Sequence, residues 1–217
     1  MFWDRVAGVY DIYVNVLNRR TNRALCGIVE RLIEPGNDVL ECACGTGMLS
    51  EVIAKRCRHL TATDLSLKML SRAEKNCAAY GNVTFRAEDI AELQHPDGSF
   101  DKAVAGNVIH LVDDPVKALS ELDRVVKPDG TLIIPTYINP LGAKYGGKQD
   151  AGEDGTSQAA SGGREHIKTD ASIFKRSFNA ETYRQFFIDR GYPDVTITIA
   201  EGLIPCAVAV MKKKQTT

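Results

Sequence analysis

The chain has no excess of either charge, no long apolar run and no paired-cysteine motif, and each absence closes a class of function. Lys plus Arg number 27 against 28 Asp plus Glu, a net charge of −1, so nothing in the charge balance marks a nonspecific nucleic-acid binder. No stretch approaches the ~20 apolar residues of a membrane span. The opening MFWDRVAGVYD carries Asp4, Arg5 and Asp11 and lacks the apolar core of a signal peptide, which makes a cytoplasmic address the expectation. Cys26, Cys42, Cys44, Cys57, Cys77 and Cys206 form no CxxC pair and no Cys/His zinc spacing. No His/Asp/Glu cluster has ligand-like spacing either, so no metal is expected. The thiols read as reduced, buried small hydrophobes. There is no internal repeat.

What remains is an ordinary globular composition, 44% apolar and 25% charged over 217 residues, enough for one domain with appendages. Residues 3–34 read as two helical segments. The second has an apolar face of Leu25, Ile28, Val29, Leu32 and Ile33, stopped by Pro35-Gly36-Asn37. Then strands alternate with helices: strand 37–43, helix 47–57, strand 59–64, helix 66–80 capped by Ser66, strand 82–88, strand 100–106 and helix 115–126 opened by Pro115. A Pro128-Asp129-Gly130 turn leads into strand 131–138. Such alternation implies a parallel sheet covered on both faces. Residues 139–168, rich in Gly, Ala and Ser, cannot supply core and read as a long loop, a lid or a disordered insert. A helix over 179–192 follows, with Asn179 as N-cap. Strands 194–200 and 203–213 come last, joined by Glu201-Gly202. So short a link predicts an antiparallel last strand. The expected fold is α/β and Rossmann-like: a doubly wound, seven-stranded, mostly parallel sheet with an N-terminal helical cap.

The chemistry-bearing stretch is Glu41-Cys42-Ala43-Cys44-Gly45-Thr46-Gly47, a strand end running into a helix. Gly45 and Gly47 can take positive φ and admit a ligand close to the backbone. The helix start that follows suits a carboxylate or phosphate. Asp64 ends the second strand and Asp89 follows the third, on the sheet edge where open α/β folds hold ligands. A dinucleotide fingerprint, G-x-G-x-x-G, would need glycine at position 50, where the chain has Ser50, and Glu41 would repel a pyrophosphate. A P-loop is excluded because no Gly-Lys-Ser/Thr follows.

VLECACGTG (39–47), TATDLSLKMLSRA (61–73), FRAEDI (85–90), FDKAVAGNVIHLVDDP (100–115) and VVKPDGTLIIP (125–135) together resemble class I S-adenosylmethionine-dependent methyltransferases, in the family's order. FWDRVAGVYD (2–11) is similar to the opening of ubiquinone/menaquinone-type and related small-molecule methyltransferases. The resemblance implies S-adenosylmethionine as cofactor and S-adenosylhomocysteine as product. It implies that Glu41 faces the methionine amino group, that Ala43, Cys44, Gly45 and Gly47 form the backbone cradle, and that Asp64 takes the ribose hydroxyls. It places Leu65 and Met69 on adenine, Asp89 and Ile90 at the adenine edge, Asn107 beside the transferred methyl and Tyr10 over the methionine end. Residues 1–36 then form a cap, 37–138 the cofactor-binding core, 139–178 an insert or lid, and 179–217 a closing helix and strands of one domain.

Each of these residues also has a plain structural reading. Glu41 is compatible with a buried acid paired to a cation, Asp64 with a helix cap, Met69 with core packing, Tyr10 with helix packing and Asp89 with a surface loop. His110, at a strand end, is either a general base for the acceptor or part of the loop framework. Gly106-Asn107-Val108-Ile109 departs from the Asn/Asp-Pro-Pro-aromatic box of many nucleic-acid and protein amino-methyltransferases, which points to a small-molecule or quinone-like acceptor and away from nucleic acid. A noncatalytic cofactor-binding module and a nicotinamide-dependent oxidoreductase are the alternatives.

Overall fold

The computed structural model of the protein describes residues 18–139 and 176–214. The first N-terminal helical segment, with Tyr10, and residues 140–175, the bulk of the expected insert, lie outside the described residues.

The alternating segments form α1 (Arg19–Leu32), β1 (Asp38–Cys42), α2 (Met48–Ala54), β2 (His59–Asp64), α3 (Leu67–Asn76), β3 (Val83–Ala87), β4 (Phe100–Ala105), α4 (Pro115–Val125), β5 (Val126–Tyr137), α5 (Ala180–Ile188), β6 (Thr196–Ala200) and β7 (Cys206–Lys212). The seven strands make one sheet in the order β3-β2-β1-β4-β5-β7-β6. β1 to β5 are parallel, and β7 runs antiparallel to both β5 and β6. The chain starts at β1, winds outward to β3 and returns to β4 on the other side of β1. That reversal opens a crevice at the carboxyl ends of β1 and β4.

Period-two burial divides the core between the two faces. Leu40, Leu132, Ile134, Ala207 and Ala209 face α4 and α5, while Val39, Ile133 and Val208 face α1, α2 and α3. Phe187 and Tyr183, both fully buried, meet edge to face with ring centroids 5.0 Å apart. Of the apolar face read on α1, Leu25 and Val29 are fully buried, as is Ile33 just beyond it, whereas Ile28 and Leu32 are only partly covered. Helix starts follow side-chain chemistry: Ser66 Oγ accepts from Met69 N–H, Asp114 Oδ1 from the N–H groups of Val116 and Lys117, and Asn179 shares a reciprocal capping box with Thr182.

Several expectations need correction. The β6–β7 connection spans residues 201–205, five residues, although the strands pair antiparallel as expected. Its length is explained by α1: Asn18 Nδ2 donates to Ile204 O at 3.0 Å, Ile204 N donates to Asn18 Oδ1 at 3.1 Å, and a Cβ on Gly202 would stand 1.9 Å from Thr21 Oγ1. The link is built to receive the start of α1. The expected Pro128-Asp129-Gly130 turn falls within β5, where the pairing with β4 shifts register between Phe100 and Lys102. The helices over 47–57 and 66–80 are shorter than their apolar patterns, ending at Ala54 and Asn76. The segment read as an insert to residue 178 returns to the core before that: Arg176 N donates to His110 O, and buried Phe178 packs against Tyr183 and Phe186. No helix among the described residues is long and apolar enough to cross a membrane.

The loop after β1 is the sharpest feature of the backbone. Ala43 has φ 55°, Gly45 φ 57° and Gly47 φ 91°. A left-handed conformation costs a non-glycine residue about 1–2 kcal/mol. Ala43→Gly should therefore stabilise the protein by up to about 1 kcal/mol, part of the relief being offset by the freer unfolded chain. Gly47→Ala should do the reverse by about 1–3 kcal/mol, because the new Cβ would also press on Ala73 Cα at 3.1 Å. Urea unfolding at constant m-value checks both signs.

Candidate functional site

Backbone bonds seat the loop 43–47 on the end of β2. Cys44 N donates to Thr63 O at 2.9 Å and Gly45 N to Asp64 Oδ2 at 2.9 Å. Asn76, the last residue of α3, closes the other side by donating Nδ2 to Thr46 O at 2.8 Å. The two glycines are needed for different reasons. Gly47 combines positive φ with close packing against Ala73 and Cys77, whereas a Cβ on Gly45 would meet nothing within 4 Å. Gly45 therefore faces open space, as a cradle for a ligand must.

Beneath the loop lies Glu41, one residue from the end of β1 and buried to 2% exposure. Ser50 Oγ, itself fully buried, donates to Glu41 Oε2 at 2.6 Å. Among the described residues no Lys, Arg or His pairs with Glu41, and its partner there is the neutral Ser50 hydroxyl. Burial pushes the Glu41 carboxyl up to about 8, the Ser50 hydrogen bond opposes that rise, and Asp64 adds to it. A buried acid beside a second acid, with one neutral donor, is an environment that a cationic ligand would relieve.

Asp64 at the end of β2 uses both oxygens on backbone: Oδ2 takes Gly45 N–H, and Oδ1 takes Ser66 N–H at 2.8 Å. The helix-capping reading and the ligand reading thus meet in one side chain, with Ser66 the formal cap of α3. Next to it Leu65 is 50% exposed, while Met69 one turn on is buried. Asp64 pairs across to Ala87 of β3, two residues before Asp89. Asp89 is exposed and closes a tight turn by accepting from Ala91 N–H, whereas Ile90 is buried in the core facing α4 and α5. On the other side Cys42 pairs with Ala105, two residues before Asn107. Residues 43–47, Asp64, Asp89 and Asn107 therefore follow the ends of adjacent strands along one sheet edge.

Asn107 has φ 54°, a conformation asparagine tolerates, and its side chain works structurally. Its Oδ1 accepts from Tyr137 N–H at 3.0 Å, while its own N–H donates to Pro135 O at 2.8 Å. His110 is 4% exposed, and burial pushes its imidazole down to about 4. It is neutral at pH 7 but far weaker than the base a proton abstraction at that pH wants.

Several participants were not read from the sequence. Ser50 was read only as a missing glycine; its place one helical turn after Gly47, facing back toward β1, was the available signal. Tyr137 hydroxyl donates to Asn22 Oδ1 of α1 at 2.8 Å, joining the cap helix to the strand end that Asn107 braces. Glu88, buried beside Asp89, lies 3.1 Å from both His95 Nε2 and Arg86 Nε. His95, read as a turn residue, closes that pair. Among the described residues no group of three or more His, Cys, Asp or Glu is placed to hold a metal ion.

Comparison with known proteins meets this geometry at the same residues. A family profile described as a methyltransferase domain matches residues 40–134, from β1 through the cradle to β5. The demethylmenaquinone methyltransferase of Renibacterium salmoninarum is 34% identical over 142 residues, covering 64% of this chain and 58% of that one. The ubiquinone/menaquinone biosynthesis C-methyltransferase of Bdellovibrio bacteriovorus is 38% identical over 117 residues, covering 51% and 50%. The chain thus spans between half and three fifths of the length of these relatives. In fold, a crystal structure of an S-adenosylmethionine-dependent methyltransferase from Thermotoga maritima, a possible histamine N-methyltransferase, superposes with a TM-score of 0.70 at 20% identity, covering 98% of both chains. Across the cradle the chain is similar in sequence to methyltransferases, and along nearly its whole length it shares the fold of an S-adenosylmethionine-dependent methyltransferase.

Proposed function

We propose that the protein transfers a methyl group from S-adenosylmethionine to a small, quinone-like acceptor by in-line displacement, leaving S-adenosylhomocysteine. The observation that carries this reading is Glu41, a buried carboxyl with a neutral hydroxyl partner, set beneath a cradle whose Gly45 faces open space. An amino acid ammonium suits that place and a pyrophosphate does not, which separates the reading from a nicotinamide-dependent oxidoreductase. Asp64 receives the ribose hydroxyls. Exposed Leu65 and buried Met69 flank the adenine, with Asp89 and the Ile90 backbone at its edge and Asn107 beside the transferred methyl. The names of the quinone relatives support the acceptor class, and the six free thiols fit a reducing cytoplasm.

The bound cofactor supplies an already activated methyl on its sulfonium, so the work of the chain is placement. Orientation of two reactants supplies about 7–11 kcal/mol, against about 3–5 kcal/mol for one general base. A buried, weakly basic His110 is consistent with that division of labour, and we assign it to the framework of the 107–114 loop. Calorimetric titration with S-adenosylhomocysteine and NAD, followed by turnover against a panel of quinol, phenol and amine acceptors, tests the reading. Tighter binding of NAD would overturn it, and tight S-adenosylhomocysteine binding without turnover on any acceptor would leave only a binding module.

Asp64→Ala should weaken S-adenosylhomocysteine by about 1.5–3 kcal/mol, the loss of hydrogen bonds to an ionised group. It should also lower stability, since Gly45 N–H and Ser66 N–H lose their acceptor. Calorimetry beside a urea titration reads both, and unchanged affinity in a folded variant removes Asp64 from the site. For His110 the folded value near 4 lies below the unfolded 6.5. The unfolded chain binds the extra proton between those values, so stability is full above pH 6.5 and falls by about 3 kcal/mol as pH drops to 4. His110→Gln should lose that acid sensitivity while its rate–pH profile between 6 and 8 keeps the wild-type shape. A lost inflection near 6.5 in the variant would reinstate His110 as a base.

A further inference from the structure

The buried carboxyl at the head of the cradle has been given its partner by the residue that breaks the dinucleotide fingerprint. Ser50 stands on α2, three residues past Gly47, and its hydroxyl reaches Glu41 Oε2 at 2.6 Å, with neither side chain open to solvent. Glu41 is held on an interior strand, paired on both sides by β2 and β4, which fixes its backbone. Among the described residues the ionisable groups coupled to it are Asp64 from β2, Cys26 from α1, Cys42 beside it on β1, Cys44 in the cradle, Cys57 after α2 and Cys77 after α3. Burial raises every one of these thiols well above neutrality, so none ionises in step with Glu41. Asp64 contributes only like charge.

We propose that Ser50 is a positioning residue for cofactor uptake: its hydroxyl orients the Glu41 carboxyl and favours its ionised form, so that docking of the cofactor's ammonium and release of the Glu41 proton occur together. The proposal rests on the assignment of Glu41 to the methionine amino group. Protons balance simply. The protonated acid and the ammonium combine, one proton leaves for solvent, and the carboxylate and ammonium remain paired. Ser50 keeps its own proton and donates it to Oε2 before and after. A donor to the ionised form holds a carboxyl's pKa down. Without that hydroxyl the acid should give up its proton only at higher pH, and below that pH the cofactor must do the work of removing it. With burial raising it, the Ser50 bond lowering it and Asp64 raising it, Glu41 stands at about 8, so the pH range that exposes the effect is an accessible one.

The test is calorimetric titration of wild type and Ser50→Ala with S-adenosylhomocysteine from pH 6.5 to 9.5, each in two buffers of different ionisation enthalpy to count protons. The ligand's own titration is common to both proteins and cancels in the ratio of affinities. A one-unit rise in the Glu41 pKa makes the variant about tenfold weaker at pH 7, closing to nearly equal affinity by pH 9.5. At pH 8.5 the variant should release more protons per ligand than wild type. A merely structural Ser50 would lower affinity by the same factor at every pH with equal proton counts, and that result overturns the proposal. Glu41→Gln separates the two levels of the argument. If it binds with wild-type affinity and wild-type pH dependence, or if wild type does not bind S-adenosylhomocysteine, the assignment of Glu41 fails. If Glu41→Gln abolishes the proton release while Ser50→Ala runs parallel to wild type, the role of Ser50 alone fails.

Discussion

One carboxylate ties the loop after β1 to the start of α3. Asp64 receives Gly45 N–H on one oxygen and Ser66 N–H on the other, and the cradle has its shape because both bonds are made. The loop carries three left-handed residues at alternate positions, Ala43, Gly45 and Gly47; at Ala43 this is strain, which persists only where surrounding contacts over-determine it. The contacts are on hand: Asp64 below, Thr63 O on Cys44 N, Asn76 on Thr46 O, and α3 packed against Gly47. The same side chain that shapes the floor of the site is the one proposed to receive the ribose, so under that proposal shape and recognition are inseparable at this position.

The sheet explains why a buried acid is tolerable at Glu41. β1 lies between β2 and β4 with four of its five residues buried. An acid there has little solvent and must either be satisfied or be neutral. Here it is partly both, with one hydroxyl bonded and a pKa raised toward neutrality. The strand ends one residue on, at buried Cys42, and the partly exposed cradle begins at Ala43.

Fold and site were not equally legible in the sequence. Alternating apolar segments, Ser66, Pro115 and Asn179 suffice to place the helices and strands along the chain by local rules, because each is decided by neighbours within a few residues. What escaped was decided at long range. The β6–β7 link is longer than Glu201-Gly202 because Asn18 and Thr21 dock into it, and the 128–130 turn sits inside β5 as a bulge, where five steps on β5 oppose two on β4. At the site, residue types with one role in the motif were visible, such as Glu41, Gly45, Gly47 and Asp64. Ser50, Tyr137 and the Glu88–His95 pair were not, since their meaning comes from partners 9, 115 and 7 positions away that no periodicity connects. His110 was legible as a position but not as a chemical state, which burial alone determines.

The clasp between α1 and the β6–β7 link has a consequence for how the protein comes into being on the ribosome. Asn18 and Ile204 are 186 residues apart, so α1 emerges early and then waits for its seat. At about 5–20 residues per second the wait is roughly 10–40 s. During it the apolar stripe of Leu25 and Val29 can lean on β1 and α2, and Asn22 can meet Tyr137 of β5, but Asn18 and Thr21 do not reach the β6–β7 link until the closing hairpin is made. The cap helix is thus the first element synthesised among those described and the last one locked, and a nascent chain stalled before residue 204 would display it unclasped to chaperones.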